Sequence, residues 1–85
     1  MKRNDNVFNG LLVEIGNQLA ELRIKKGYPT LNEFVNKYDL PQVQYWRIEK
    51  GKANVTLRSL SKILNIHRVS LQEFFCLITS EKLAA

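Results

Sequence analysis

The sequence predicts an all-α protein of five helices. In four stretches, apolar residues recur at steps of three and four, as on one face of a helix. No stretch of useful length alternates apolar and polar residues, as a half-buried strand would. With 85 residues, 45% of them apolar, the chain can form one modest core. We therefore expect a compact single domain over residues 1–85.

The first predicted helix has the clearest apolar stripe. Five apolar residues follow one another at steps of 4, 3, 4 and 3, within an arc of about 80°. They are Phe8, Leu12, Ile15, Leu19 and Leu22. The polar residues expected outside this arc are Glu14, Gln18 and Glu21. Two lysines and Gly27 follow the stripe, which is typical of a helix C-terminus.

Two short helices, over 30–38 and 42–50, come next. The first begins with a capping box formed by Thr30 and Glu33. The apolar face of this helix consists of Phe34, Val35 and Tyr38. A break at residues 39–41 separates the two helices, and Pro41 suits the first position of the second because its missing N–H costs nothing there. The break is only three residues long, so the two helices are joined by a tight turn. Gly51 ends the second helix.

The last two helices follow a loop over residues 52–55. Thr56 can cap the fourth helix, and Ser70 with Glu73 forms a second capping box before the fifth. The apolar stripe of the fourth helix is Leu57, Leu60, Ile63, Leu64 and His67. That of the fifth is Leu71, Phe74, Phe75 and Ile78. The core should span about residues 7–79, with 1–6 as an arm or tail, 80–85 frayed, and no separate effector domain.

Composition excludes several classes of protein. Cys76 and His67 are the only residues of their types, so we expect no internal disulfide, no metal site and no cofactor. They also lie in different helices, which leaves no nucleophile–base pair and predicts that the protein is not an enzyme. No apolar run approaches the ~20 residues of a membrane span, and no signal peptide is visible. We expect a cytoplasmic protein, with His67 and Cys76 packed in the core.

Basic residues are concentrated in the middle of the chain. The net charge is +5, yet residues 23–68 alone carry ten basic and only three acidic side chains. A basic middle in a small domain indicates a polyanionic partner, because clustered positive charge attracts and holds phosphates.

The outward side of the third helix carries an unusual mixture of side chains. On a helical wheel, Tyr45 and Ile48 point to the core, and the opposite side combines amide, apolar, aromatic and cationic groups. These groups belong to Gln42, Val43, Trp46, Arg47 and Lys50. Glutamine can pair with adenine, arginine with guanine, and valine can pack on a thymine methyl. The mixture can read base edges, although an ordinary solvated face is the alternative. The helix spacing and the Ile48-Glu49-x-Gly51 ending favour contact with DNA.

Motifs along residues 12–75 resemble the phage-repressor/Cro-type (Xre-like) helix-turn-helix family. They are Ile15-Gly16-x-x-Leu19-x-x-Leu22-Arg23, Thr30-x-x-x-Phe34-Val35, Gln42-x-x-Tyr45-x-x-Ile48-Glu49-x-Gly51-Lys52, Thr56-Leu57-x-x-Leu60 and Ser70-Leu71-x-x-Phe74. The resemblance implies a lambda-repressor-like five-helix domain. The second helix would lie across the DNA backbone, and the third would enter the major groove of double-stranded DNA. Members usually act as homodimeric transcription regulators, often repressors, on two-fold symmetric operators.

Specific roles follow from the resemblance and the helical wheel. Expected base contacts come from Gln42, Val43, Trp46 and Arg47, and expected phosphate contacts from Gln44, Lys50, Lys52 and Arg58. Arg23 and Glu49 match a structural ion pair between the first and third helices. The sequence departs from the family at Leu31, Val35, Asp39, Pro41 and His67-Arg68. Asp39 replaces a usual turn glycine, and we expect it to accept the left-handed backbone.

Two questions stay open from the sequence. Trp46 has three possible roles, namely packing on sugar-phosphate, touching a partner protein, or folding back on its own domain. The fifth helix has more apolar surface than one core face needs, which predicts a homodimer interface at Phe75, Leu77, Ile78 and Leu83. A different hypothesis is a protein–protein module, such as the antitoxin of a toxin–antitoxin pair, anchored by Tyr45, Trp46 and the last helix.

Overall fold

The structure is a computed structural model that describes the backbone of residues 2–84 and the side chains of residues 7–79. It contains five helices and, over 2–84, no strand. They are α1 (Lys2–Lys25), α2 (Leu31–Lys37), α3 (Gln42–Glu49), α4 (Leu57–His67) and α5 (Leu71–Ala84). The predicted all-α, five-helix class is confirmed. None of the described helices is both long enough and apolar enough to cross a membrane.

The helices fall into two units. The first, Met1–Asn54, contains α1, α2 and α3, with both α1 and α2 packed on α3. The second, Val55–Ala85, contains α4 packed on α5. The single domain over the whole chain stays a prediction. The sequence predicts an arm or tail at 1–6 and fraying at 80–85, whereas the α1 backbone begins at Lys2 and the α5 backbone extends to Ala84. The side chains of 1–6 and 80–85 lie outside the described range.

Helix α1 buries a wider arc than its apolar stripe predicts. Leu12, Ile15 and Leu19 are buried as expected, but Phe8 at the start of the stripe is 42% exposed. Gln18, expected on the polar side, is buried. Since Gln18 lies next to Leu22 around the helix and Arg23 next to Leu12, both flanks of the stripe are covered. The apolar stripe therefore predicts which side of α1 is buried but underestimates the width of the buried arc.

An aromatic cluster holds the middle of the first unit together. Phe34 of α2 is fully buried, and its ring centroid lies 5.6 Å from that of Tyr28, 5.1 Å from that of Tyr38 and 5.4 Å from that of Tyr45. These separations are typical of favourable aromatic pairs. Because Tyr28 precedes α2 and Tyr45 belongs to α3, the cluster fixes α2 against the helix that follows it.

The turn between α2 and α3 needs one left-handed residue. Asp39 has φ 54°, and the Leu40 N–H donates to the Val35 carbonyl at 2.9 Å, which closes the end of α2. Asp39 therefore accepts the left-handed backbone, as expected. Pro41 is the N-cap of α3, with φ −68° and ψ 115°. The sequence predicts it at the first helical position, which Gln42 occupies instead. The Pro41 carbonyl accepts the first helical bond, from Tyr45 N–H at 2.9 Å.

The two predicted capping boxes form, in slightly different ways. Ser70 and Glu73 exchange backbone N–H to side-chain bonds of 2.9 and 3.0 Å. Hydrogen bonding by the Ser70 backbone N–H, and secondarily by its side chain, lowers the pKa of the Glu73 carboxyl. At α2 the Thr30 hydroxyl accepts from Glu33 N–H at 3.3 Å but donates to the Glu33 carboxylate at 3.0 Å, so the carboxylate bonds the hydroxyl instead of a backbone N–H. Thr56 caps α4 by accepting from Ser59 N–H.

Three apolar predictions fail in the second unit. Leu57, placed on the α4 stripe, is 65% exposed because it is the first residue of the helix, one turn before the buried Leu60. Cys76, expected to be buried, is exposed, since the covered side of α5 is formed by Phe74 and Ile78. His67, expected in the core, is only half-buried at the end of α4. Arg68 follows it in the left-handed conformation, φ 58°, and ends the helix.

Candidate nucleic-acid interface

Helix α3 separates buried and exposed side chains along its length. Tyr45, Ile48 and Glu49 are buried. The side chains on the opposite side are exposed, as predicted, and we call Gln42, Val43, Trp46 and Arg47 the outward face of α3. Val43 is 73% exposed and Trp46 41%. Apolar groups this exposed, beside an amide and a guanidinium, leave the face able to contact base edges.

A glycine sets the distance between α3 and α1. A Cβ added at Gly16 would overlap the backbone carbonyl oxygens of Ile48 and Glu49, the first of them at 2.6 Å. Separations below 3.0 Å force one backbone to move, because two packed backbones cannot yield as a flexible side chain does. Gly16 is therefore a point of close approach between the two helices.

A second glycine fixes the chain just after α3. Gly51 has φ 71°, a left-handed conformation that favours glycine. A Cβ added there would lie 2.8 Å from Val13 Cα in α1. The corner at the end of α3 is thus held both by its backbone conformation and by lack of space.

The predicted ion pair between α1 and α3 is present and buried. Arg23 Nε donates to Glu49 Oε2 at 2.8 Å, and Arg23 Nη2 donates to Glu49 Oε1 at 3.2 Å. The third arm of the guanidinium, Nη1, donates to the Tyr28 carbonyl at 2.8 Å. One arginine therefore joins the end of α1, the following loop and α3. Bidentate pairing of this kind fixes orientation as well as distance.

Both ionisable neighbours of Glu49 keep one charge state at neutral pH. The hydrogen bonds to Glu49 raise the pKa of the Arg23 guanidinium, although burial opposes the shift. Burial, followed by the Glu49 carboxylate, raises the pKa of the Tyr45 hydroxyl far above its usual value. Near neutral pH, Arg23 therefore stays charged and Tyr45 stays neutral.

One end of the outward face is tied to α2. Gln42 Nε2 donates to Asn32 Oδ1, which restrains an amide that an exposed glutamine would otherwise leave free. Beside this bond is an open groove of about 290 Å³. Its lining residues are Thr30, Leu31, Asn32, Gln42, Val43 and Trp46. Asn32 was missed at the sequence level. The only available signal was its position near the start of α2.

The other end of the outward face is tied to the loop after α3. Arg47 and Lys52 exchange two hydrogen bonds: Arg47 Nη2 donates to the Lys52 carbonyl at 3.0 Å, and Lys52 N–H donates to the Arg47 carbonyl at 2.8 Å. The Lys52 ammonium lies 5.3 Å from the centroid of the Trp46 ring. Of the three roles left open for Trp46, the structure favours contact with its own domain.

The remaining candidates differ in placement. Gln44 and Lys50 are exposed on and beside α3, and Arg58 is exposed in the first turn of α4, in the second unit. Among the dimer candidates, Phe75 is half-buried and Leu77 is 41% exposed, whereas the Leu83 side chain lies outside the described range. Ile78 is only 7% exposed because it belongs to the buried side of α5, so it offers a second copy little surface.

The groups on the outward face can form hydrogen bonds, apolar contacts and charge contacts with DNA. Across residues 7–79, no three histidine, cysteine, aspartate or glutamate side chains gather closely enough to bind a metal ion. The face instead offers an amide, a guanidinium and the exposed apolar surface of Val43. These are the group types that proteins use on base edges and phosphates.

One curated protein is clearly similar to this chain. Control protein C.MunI from Mycoplasma sp is 36% identical over 73 residues, which cover 86% of this chain and 99% of the relative. The similarity therefore extends over both units. No family model matches the sequence, and no solved structure matches it.

Proposed function

We propose that this chain, which belongs to the family of Control protein C.MunI, is a transcription regulator that binds double-stranded DNA through the outward face of α3. That relative is named as a control protein, which supports a regulatory role. The observation that carries the proposal is the exposure of Gln42, Val43, Trp46 and Arg47 on a helix whose other side is fixed to α1. Fixed placement matters because base recognition needs side chains held in register with the groove.

Three groups on the outward face have a complementary base in the major groove. Gln42 carries the amide that pairs with adenine N6 and N7, and Arg47 the guanidinium that pairs with guanine O6 and N7. Val43 offers a methyl surface to thymine. All three project from α3, so they can enter one groove together.

Phosphate contacts would supply most of the affinity. Gln44, Lys50 and Lys52 are exposed on α3 or just after it, and Arg58 offers a further cation from α4. Each phosphate that a cation neutralises releases counterions, so log Kd should change with log salt by about 0.9 per contact. Loss of Lys50 should reduce this slope by about one and weaken all sequences alike.

A homodimer would match a two-fold symmetric operator. Its recognition helices should lie about 34–36 Å apart, one turn of B-DNA. Leu77 supports this part of the proposal because it is an exposed apolar residue on α5. Equilibrium sedimentation should show dimers at micromolar concentration, and Leu77→Asp should shift them to monomers. A wild-type monomer at high micromolar concentration would remove the dimer from the proposal.

Selection of bound fragments from random duplexes tests the function directly. We expect a short enriched motif with two-fold symmetry and binding that weakens steeply with added salt. Failure to enrich any motif, with affinity that barely responds to salt, would contradict the proposal. An affinity that barely responds to salt would favour the protein–protein module, because an apolar interface depends little on ionic strength.

A further inference from the structure

Trp46 and Lys52 form an exposed pair. A base-contacting role for Trp46 gives no reason for this pairing. The Trp46 ring is one wall of the groove beside α2, and its exposed fraction is 41%. The Lys52 ammonium lies over this ring, 5.3 Å from its centroid. A cation over an indole face is attracted by the ring quadrupole, and tryptophan is the strongest partner among the aromatic residues.

The backbone of Lys52 is held as well as its side chain. Its N–H donates to the Arg47 carbonyl at 2.8 Å, and its carbonyl accepts from Arg47 Nη2 at 3.0 Å. At Gly51, immediately before it, an added Cβ would lie 2.8 Å from Val13 Cα in α1, so this part of the loop lies close to α1. Lys52 itself is held by two backbone hydrogen bonds and one cation–π contact.

Restraint of this kind affects phosphate binding more than base recognition. A free lysine loses much rotamer freedom when a phosphate immobilises it, whereas a lysine already held in place loses less. The indole face restrains the Lys52 ammonium without neutralising its charge, whereas a carboxylate would neutralise it. An ammonium held in this way keeps N–H groups free to donate to a phosphate oxygen.

We infer that Trp46 is a positioning residue, which places the Lys52 ammonium for contact with a DNA phosphate and is not itself a base contact. The inference rests on the proposed function and replaces, for Trp46 alone, the base-contact role expected from the sequence. Trp46 acts through Lys52, so its effect on DNA binding disappears when Lys52 is removed. Base preference is left to Gln42, Val43 and Arg47.

A double-mutant cycle on DNA binding tests the inference. Trp46→Ala should weaken binding to the selected operator and to random duplex equally, by about two- to fivefold, and flatten the salt slope. Trp46→Phe, which keeps an aromatic face, should recover most of the loss. In the Lys52→Ala background, Trp46→Ala should have no further effect. In the Lys50→Ala background, a matched control for charge at the same corner, it should keep its full effect.

Two results would overturn the inference. Additive effects of Trp46→Ala and Lys52→Ala would show that the two residues act separately. A change in preference at one base pair, with an unaltered salt slope, would make Trp46 a base contact. If the wild-type protein enriches no motif and its binding does not depend on salt, the proposed function fails, and the phosphate role fails with it.

The contact itself can be measured without DNA, so the two failures are distinguishable. Trp46 is the only tryptophan of the chain, and its fluorescence therefore reports on this site alone. Iodide is attracted to a nearby ammonium, whereas neutral acrylamide is not. At constant ionic strength, Lys52→Ala should lower quenching by iodide and leave quenching by acrylamide no weaker, and Lys50→Ala should have the smaller effect. Equal iodide quenching in the wild type and in Lys52→Ala would contradict the contact between the Lys52 ammonium and the Trp46 ring.

Discussion

The two sides of α3 differ in what restrains their side chains. On the inner side, Glu49 is buried in a bidentate pair with Arg23, and the backbone beside it lies against Gly16. On the outward face, the side chains of Gln42 and Arg47 each make a single exposed bond, to α2 and to the loop after α3 respectively. Buried, multiply bonded groups fix the helix, while exposed groups stay available to exchange partners. The comparison predicts that inner substitutions change folding and outward ones change DNA recognition.

The largest effect should come from the inner ion pair. Glu49→Ala leaves the buried Arg23 guanidinium without its carboxylate, and removing one partner of a buried pair typically costs about 3–5 kcal/mol. Urea denaturation should show a loss of this size in the free energy of unfolding. Glu21→Ala, on the exposed side of α1, is the matched control and should change stability by less than about 0.5 kcal/mol. Equal effects of the two substitutions would contradict the role of the Arg23–Glu49 pair in holding α3 against α1.

The next effect tests the spacing of α1 and α3. Gly16→Ala adds a Cβ that overlaps two carbonyls of α3, and overpacking of this kind costs about 1–3 kcal/mol. Gly10→Ala is an informative control because it lies in the same helix, with nothing within 4 Å of the added Cβ. It should stabilise the protein by up to about 1 kcal/mol through helix propensity. The midpoint temperature of thermal unfolding should therefore fall for Gly16→Ala and rise for Gly10→Ala. A shift in the same direction for both variants would contradict the close approach of α1 and α3.

A smaller effect is expected from the bond between α2 and the outward face. Asn32→Ala releases the Gln42 amide and should weaken operator binding by about 0.5–1.5 kcal/mol, the net worth of one hydrogen bond. It should also broaden base preference at one position, which repeated selection from random duplexes would show. Asn36→Ala, an exposed asparagine of the same helix, should leave the preference unchanged. An unaltered motif for Asn32→Ala would mean that Gln42 recognises its base without this restraint.

The features predictable from sequence are those that depend on local pattern. Helix periodicity and caps predict all five helices, and the family resemblance predicts the pairing of Arg23 with Glu49. Each of these features involves residues close in sequence or a pair that the family resemblance supplies. The left-handed backbone at Asp39 belongs to the same group, because the family that the sequence resembles usually has a turn glycine at this position.

The features that escaped prediction depend on tertiary geometry. The width of the buried arc on α1 follows from the helices that cover it, so Phe8 and Gln18 were assigned to the wrong sides. The bond from Gln42 to Asn32 and the cation over Trp46 join residues whose distance is set by a turn and a loop. No spacing rule on one helix contains that information. The exposed state of Cys76 likewise depends on which side of α5 packs on α4.

The central claim, that the outward face of α3 contacts bases, is tested most directly with Arg47→Ala. The variant should bind the selected operator about 1–3 kcal/mol more weakly and lose preference at one base pair, while its unfolding free energy changes by less than about 1 kcal/mol. Lys37→Ala, which removes one exposed cation from α2, controls for net charge and should leave the motif intact. The measurement is position-resolved operator binding by the wild type and both variants. An Arg47→Ala protein with the wild-type affinity and the wild-type motif would contradict the account.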